Sequence, residues 1–378
     1  MNDKLVLEIP KISFDSELVE LIMKLEVLRN NNIQPEVNNQ LFPQIKQIFY
    51  MLESLQSARI EGNRTTVSDY VDSKFTPKIE SEQIEEIKNI EKALDYVNQR
   101  FKEDENFKIS TWFLKELHSI ITKDLNIEGS KESGKFRTCN VEIKNAKHVP
   151  PESILVTQYM EDLVNWINSE EKMQGQLLKI AIVHHAFTWI HPFDNGNGRI
   201  SRILTYAMLR QYGFDMAYLL NSTAVFCIDR NKYFEMLQIA DESTNESKIC
   251  WCEYVLKGLY DEMSKVSKLM QKQFIIDKIA IPAINLALEL HRISPENKKV
   301  LELALKNDII KSKDIQLLFG KEKTTRQVTD LISKMVATNL LNKTEPTART
   351  YTINLLSKDL IRGLIEALKD EKLIAIKD

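Results

Sequence analysis

His191-Pro192-Phe193-Asp194-Asn195-Gly196-Asn197-Gly198-Arg199-Ile200-Ser201-Arg202 separates two helical runs and puts unusual chemistry between them. Before it, residues 175–189 (GQLLKIAIVHHAFTW) are strongly apolar and hold no proline, so they read as a buried helix. Pro192 ends that helix, because the residue before a proline is pushed out of helical geometry. After it, residues 199–212 return to helical periodicity and stop near Gly213. Gly196 and Gly198 tolerate backbone conformations that other residues resist. Their N–H groups can converge into an anion-binding nest, at the positive end of the following helix. Arg199 and Arg202 are three residues apart, share one helix face and can both fork onto phosphate oxygens. Asn197 adds a further donor. His191 stands beside the nest, and an imidazole can take a proton from an attacking hydroxyl near neutral pH. The run therefore reads as a phosphate site with a base at its edge. It is not a P-loop, since no GxxxxGK[ST] occurs in the chain. It is not a dinucleotide fingerprint either, because the glycine spacing differs and no strand precedes it.

These residues resemble the motif HxFx[D/E]GNGRxxR of the Fic family of nucleotidyl transferases, at all but one defined position. The resemblance implies a helical Fic core and transfer of AMP from ATP, with Mg²⁺ or Mn²⁺, to a Ser, Thr or Tyr hydroxyl of a protein, the chain itself included. It implies His191 as general base, Asn197 on the α-phosphate, Gly196 and Gly198 as backbone donors, and Arg199 and Arg202 on the β- and γ-phosphates. The departure is Asn195, which stands where the family usually has a metal-binding acid. An amide oxygen can ligate Mg²⁺ but lacks the charge a hard cation prefers. In the family a Tyr-containing helix lies near the adenine, which makes Asn231 and Tyr233 of residues 229–240 candidates. Plain packing is the other reading of that pair.

A second match lies upstream. Residues 40–61 (QLFPQIKQIFYMLESLQSARIE) read as a helix closed by Gly62, and TTVSDY (residues 65–70) reads as a turn after it. Ser57 to Asn63 resembles the family's inhibitory motif [S/T]xxxE[G/N]. The resemblance implies that Glu61 fills part of the γ-phosphate site and pairs with Arg202, so that ATP binds unproductively. A third match covers residues 133–150. Val141, Ile143 and the Pro150-Pro151 pair break helical periodicity and suggest a short hairpin. It resembles the Fic flap, whose free edge (Val141, Glu142, Ile143) would pair with the backbone of a target protein by strand addition.

The remaining chain frames these motifs. It has 378 residues, 43% of them hydrophobic, enough for two or three domains. A net charge of −3 excludes a whole-chain polycation for nucleic acid or membrane. No run of about eighteen apolar residues occurs, so no membrane span is expected. The N-terminus lacks the apolar core of a secretory signal, and the four scattered cysteines read as reduced thiols, so a cytoplasmic setting is expected. The expected fold is mainly α: a Fic helical core with a short β-hairpin flap, plus a C-terminal winged helix-turn-helix. The expected segments are an N-terminal helical region (1–105, inhibitory helix about 40–62), the core (106–262), a connecting helix (263–290), and a winged-helix domain with C-terminal helix (291–378). Residues 324–340 would be the recognition helix, and DNA binding would use Lys321, Lys323, Arg326 and Arg349. Glu322, Asp330 and Glu345 dilute that basic cluster, so a protein-docking or homodimerising module is the alternative. Two further readings stay open: removal of AMP or transfer of another phosphate-containing group by the same site, and a DNA-binding regulator whose Fic domain senses nucleotide.

Overall fold

The computed structural model describes residues 5–30, 40–76, 81–143, 146–214 and 222–374. The chain is mainly α-helical, with one small sheet. It divides into two compact units. The first holds residues 1–32, 49–65 and 80–264; the second holds 33–48, 66–79 and 265–378. One boundary falls inside helix α2 (Phe42–Glu61), between Ile48 and Phe49.

The first unit contains α1 (Glu17–Asn30), the later part of α2, α4 (Glu82–Glu103), α5 (Thr111–Ile121), α6 (Ser153–Asn168), α7 (Met173–Ile190), α8 (Asn197–Gln211), α9 (Ala224–Cys227) and α10 (Arg230–Ala240). Most of α11 (Asn245–Val266) also belongs to it. Helix α7 is its centre. Leu177 to Phe187 are buried without interruption, as expected of a helix apolar all round. Helix α8 packs on α7 and buries Arg199 through Leu209. Helix α4 is amphipathic instead: Ile84, Ile87, Ile90, Leu94, Val97 and Phe101 form its buried stripe, while Glu85, Lys88 and Lys92 pair on its outer side.

The second unit contains α3 (Val67–Phe75) and a run of short helices. These are α12 (Lys272–Phe274), a π-helical stretch (Ile275–Ala280), α13 (Ile281–Glu289), α14 (Pro295–Asn307), α15 (Ser312–Phe319), α16 (Thr325–Ala337) and α17 (Ile361–Asp370). Strands β1 (Ile310–Lys311), β2 (Leu341–Lys343) and β3 (Thr350–Ile353) form an antiparallel sheet in the order β1-β3-β2. Leu341 faces Ile353, and Ile310 faces Tyr351. Strand β1 has no periodicity of its own, being two residues long, and exists because β3 offers an edge. Gln44, at the start of α2, donates to Ile353 O and accepts from Leu355 N, tying that turn of helix to the end of the sheet.

Two local expectations need correction. TTVSDY (residues 65–70) reads as a turn but starts α3. The Thr66 hydroxyl accepts from Asp69 N and the Asp69 carboxylate accepts from Thr66 N, a capping box that turns the polar run into a helix start. The flap, expected as a β-hairpin, carries no ladder among its described residues; residues 144 and 145 lie outside them. Side chains hold its arms together instead. Arg137 donates to Cys139 O and Pro151 O, and Ser153 donates through its hydroxyl to Thr138 O and through its N–H to Asn140 Oδ1. With those carbonyls and N–H groups taken, a regular pairing across the arms has no register to follow. Among the described residues no helix is long and apolar enough to cross a membrane.

Candidate active site

The site grows from the junction of α7 and α8. His191 closes α7 in the left-handed region, φ 50. That conformation costs a non-glycine residue about 1–2 kcal/mol, so the surroundings must impose it. Arg137 does so from the flap base, donating Nε to His191 O at 2.8 Å and its N–H to Pro192 O at 2.8 Å. The imidazole Nδ1 lies 3.3 Å from Thr188 O. A carbonyl only accepts, so Nδ1 carries the hydrogen and Nε2 keeps its lone pair. Burial pushes the His191 pKa down to about 4, with the Arg137 charge adding to the effect and the Thr188 contact and Glu61 opposing it. The ring is therefore neutral at pH 7, in the form a proton acceptor needs.

The loop after His191 is closed from inside. Phe193 is fully buried and stacks on His118 at 3.9 Å. Asn197 accepts from Phe193 N and donates to Phe193 O, both at 2.9 Å. The resemblance puts this side chain on the α-phosphate; here both ends of its amide hold the turn. Gly196 is the N-cap of α8 with φ 76, where a side chain would be strained. At Gly198 a Cβ would meet Glu61 Oε1, so the Glu61 carboxylate would have to shift to admit a side chain.

That contact brings the upstream segment of residues 57–63 to the start of α8. The Glu61 carboxylate sits against the N-terminal turn of α8, where an anion is favoured. It accepts from Arg202 Nη2 at 2.7 Å. Arg202 is buried and also donates to Ser57 Oγ (2.9 Å) and Ser57 O (3.0 Å). Burial pushes the Glu61 pKa up, but Arg202 and Arg199 outweigh it and hold the carboxyl below its usual range. The structure thus brings Ser57, Glu61, Gly198 and Arg202 into one cluster.

Arg199 has a different environment. It is fully buried, with Nη1 3.1 Å from Glu86 Oε1 on α4 and Nη2 donating to Glu128 O at 2.8 Å. Glu128 Oε2 lies 3.3 Å away. Although Glu86 is at ion-pair distance, Glu86 Oε1 and Arg199 Nη1 are not aligned for a hydrogen bond, and Arg199 Nε has no partner among the described residues. The attraction between Arg199 and Glu86 is therefore charge-to-charge. Burial raises the Glu86 pKa, with Arg199 opposing. Arg199 and Arg202 do not converge on one open surface, as the phosphate reading asks; each is already held by acidic residues from outside the motif.

Asn195 also faces inward. Its Nδ2 donates to Gly129 O at 3.1 Å and Ile127 O at 3.4 Å, while Oδ1 accepts from Gly196 N at 2.7 Å and lies 3.5 Å from Arg199 Nη2. Neighbouring Asp194 is taken by Ser130 Oγ and Lys131 N. No group of three His, Cys, Asp or Glu side chains that could hold a metal ion occurs among the described residues. The donor set at Asn195 does not fit a resident Mg²⁺ or Mn²⁺: its one oxygen is neutral, already bonded, and next to a guanidinium.

The remaining candidates are spread out. Tyr233 is buried, its hydroxyl 2.9 Å from His184 Nε2, whose Nδ1 meets Thr205 Oγ1 at 2.8 Å. Its ring packs with Phe226 and Trp251. Asn231 is exposed on α10. Val141, Glu142 and Ile143 form the non-ladder arm beyond Arg137, with Glu142 outermost. His118, missed from the sequence, accepts from Gly134 N through Nδ1 (2.9 Å) and so donates from Nε2 to Asn195 O (3.1 Å). Burial takes its pKa to about 4, keeping this tautomer at neutral pH. A lone histidine on the apolar face of α5 gives no local signal of that role; only the fold brings residues 118, 134 and 195 together.

Residues 108–209 match the Fic/DOC family. Protein adenylyltransferase fic-1 of Caenorhabditis briggsae is 27% identical over 197 residues, 51% of this chain and 37% of that relative. Protein adenylyltransferase Fic of Drosophila yakuba is 28% identical over 203 residues, 52% of this chain and 38% of that relative. The chain thus spans less than half the length of these curated relatives. A Fic family protein from Desulfovibrio desulfuricans G20 superposes with a TM-score of 0.55 at 19% identity, covering 91% of this chain and 98% of its own. Fic-1 (residues 134–508) from C. elegans superposes with a TM-score of 0.55 at 20% identity, covering 67% of this chain and 72% of its own. At these identities the superpositions show a shared fold.

Proposed function

We propose that this chain, which carries a Fic domain over residues 108–209, is an autoinhibited protein adenylyltransferase. A target hydroxyl oxygen attacks the α-phosphorus of ATP, the bond from that phosphorus to the β-phosphate oxygen breaks, and pyrophosphate leaves. The hydroxyl proton goes to His191 Nε2, the nitrogen left free by the Thr188 contact. Backbone N–H groups at the start of α8 face the phosphates, and Arg202 meets the terminal one once it is free. The target segment docks along Val141 to Ile143. No step runs through a metal held by Asn195.

The observation that carries the inhibited reading is the Glu61 carboxylate, 2.7 Å from Arg202 and packed directly against Gly198. An anion already occupies the place a phosphate would take. In the C-terminal unit the order α14-β1-α15-α16-β2-β3 supports a winged-helix reading. Its basic residues are partly spent: Lys323 pairs with Glu296 at 2.6 Å, and Lys299 lies 3.8 Å from Glu322. This favours a protein-docking or dimerising module over DNA binding.

The test is label transfer from α-labelled ATP to protein, with wild type, Glu61→Gly, and Glu61→Gly combined with His191→Ala. Glu61→Gly labels protein strongly and wild type weakly. Adding His191→Ala lowers the rate by about 10²–10⁴-fold, the usual contribution of a general base. Equal and absent labelling in all three overturns the proposal.

A further inference from the structure

We infer that Asn195 is a latch for the loop of residues 126–129 and not a ligand of a divalent cation, and that through this loop it fixes what Arg199 can reach. The amide has only one workable orientation. Both partners of Nδ2, Gly129 O and Ile127 O, are acceptors, while both neighbours of Oδ1, Gly196 N–H and Arg199 Nη2, are donors. Turning the group over would set oxygen against two carbonyls and NH₂ against two donors. The residue itself is held by the bond from His118 Nε2 to Asn195 O.

The loop is gripped from its other side as well. Glu82 Oε1 accepts from three successive N–H groups, Asn126 at 2.8 Å, Ile127 at 2.5 Å and Glu128 at 3.3 Å. With N–H groups on Glu82 and carbonyls on Asn195, the loop is fixed, and Glu128 is delivered to Arg199 through both its carbonyl and its carboxylate. An aspartate in place of Asn195 would remove both donors and set a carboxylate oxygen against Gly129 O. The acid that suits a hard cation is therefore the wrong residue for this loop, and the amide the right one. The latch does not depend on AMP transfer.

The test uses the full chain, with Asn195→Asp and Asn195→Ala, and follows hydrogen exchange of amides 126–131 corrected for intrinsic rates. Near pH 7 both variants exchange these amides at least about tenfold faster than wild type, as expected for losing hydrogen bonds of ordinary strength. Near pH 5 the two part. Once protonated, the carboxyl introduced by Asn195→Asp can donate to Gly129 O again, and burial beside carbonyls favours that form. Asn195→Asp therefore regains protection, while Asn195→Ala does not. A Mn²⁺ titration without nucleotide supplies a readout on wild type alone, and leaves these amides unchanged. The inference is overturned if Asn195→Asp keeps the loop protected near pH 7. It is also overturned if that variant gains Mn²⁺ affinity tenfold or more, or if Mn²⁺ protects the wild-type loop.

Discussion

Arg202 and Arg199 sit one turn apart on α8, both buried, yet they belong to different kinds of region. Arg202 is held by α2 through three aligned bonds that it donates to Ser57 and Glu61, and the Glu61 side chain is 30% exposed. Arg199 is held by α4 and by the loop at 126–129, and Glu86 is only 2% exposed. A carboxylate with water already at one side can leave an arginine at modest cost. A carboxylate with no water near it cannot, because separation strands two charges in a medium that solvates neither. On the proposed reading, the Arg202 region is a lock that opens, and the Arg199 region part of the scaffold that carries it.

The comparison is broken most directly by removing the acids. Glu86→Ala should destabilise the chain by about 3 kcal/mol, the lower end of the effect of breaking a buried pair, because Glu128 still meets Arg199. Glu61→Ala should cost about 1 kcal/mol, because Arg202 keeps Ser57 and water replaces the carboxylate. Denaturant unfolding of both variants, at equal slope, reads the difference. Equal costs would mean that the two arginines are held alike and that no lock is distinguished from the scaffold.

A pH series sharpens the same contrast, since His118 braces the loop beside Arg199 and the Glu61 charge acts on His191. Both have pKa values depressed to about 4, from an unfolded value near 6.5. Between those values the unfolded chain binds more protons than the folded one, so stability is full above about pH 6.5 and falls as pH drops toward 4. The melting temperature should decline through that window, and His118→Gln should flatten the decline. An unchanged slope would remove His118 from the account of the loop. The smallest effect is expected in the other unit. Binding of duplex DNA should stay within the non-specific range, about 10⁻⁴–10⁻⁶ M at physiological salt. Tighter, salt-dependent binding would overturn the docking reading of its helices α15 and α16.

Much of this is legible because it is local. The ends of α7 and α8, the glycine turn and the position of His191 follow from proline, glycine and helical periodicity within about thirty residues. TTVSDY and the flap mislead for the same local reason: a capping box looks like a turn, and alternating apolar residues look like a ladder. Residues that act across the fold are illegible. Glu86 is one charge among many on α4, Glu128 one among several in a polar loop, and His118 a lone ring in an apolar run. Nothing in their neighbours distinguishes them.

The sequence by itself determined which groups the site contains and in which order they come: an imidazole, a glycine turn, two arginines and an upstream glutamate that resembles an inhibitor. Only the tertiary structure decided how they are shared out. It set Glu61 on Arg202 and Glu128 on Arg199, turned Asn197 onto Phe193, and faced Asn195 toward the loop carbonyls. The reason is physical. A residue's chemistry is fixed by its type, whereas its partners depend on which buried donors and acceptors the packing leaves for one another, at this site across separations of up to 145 residues.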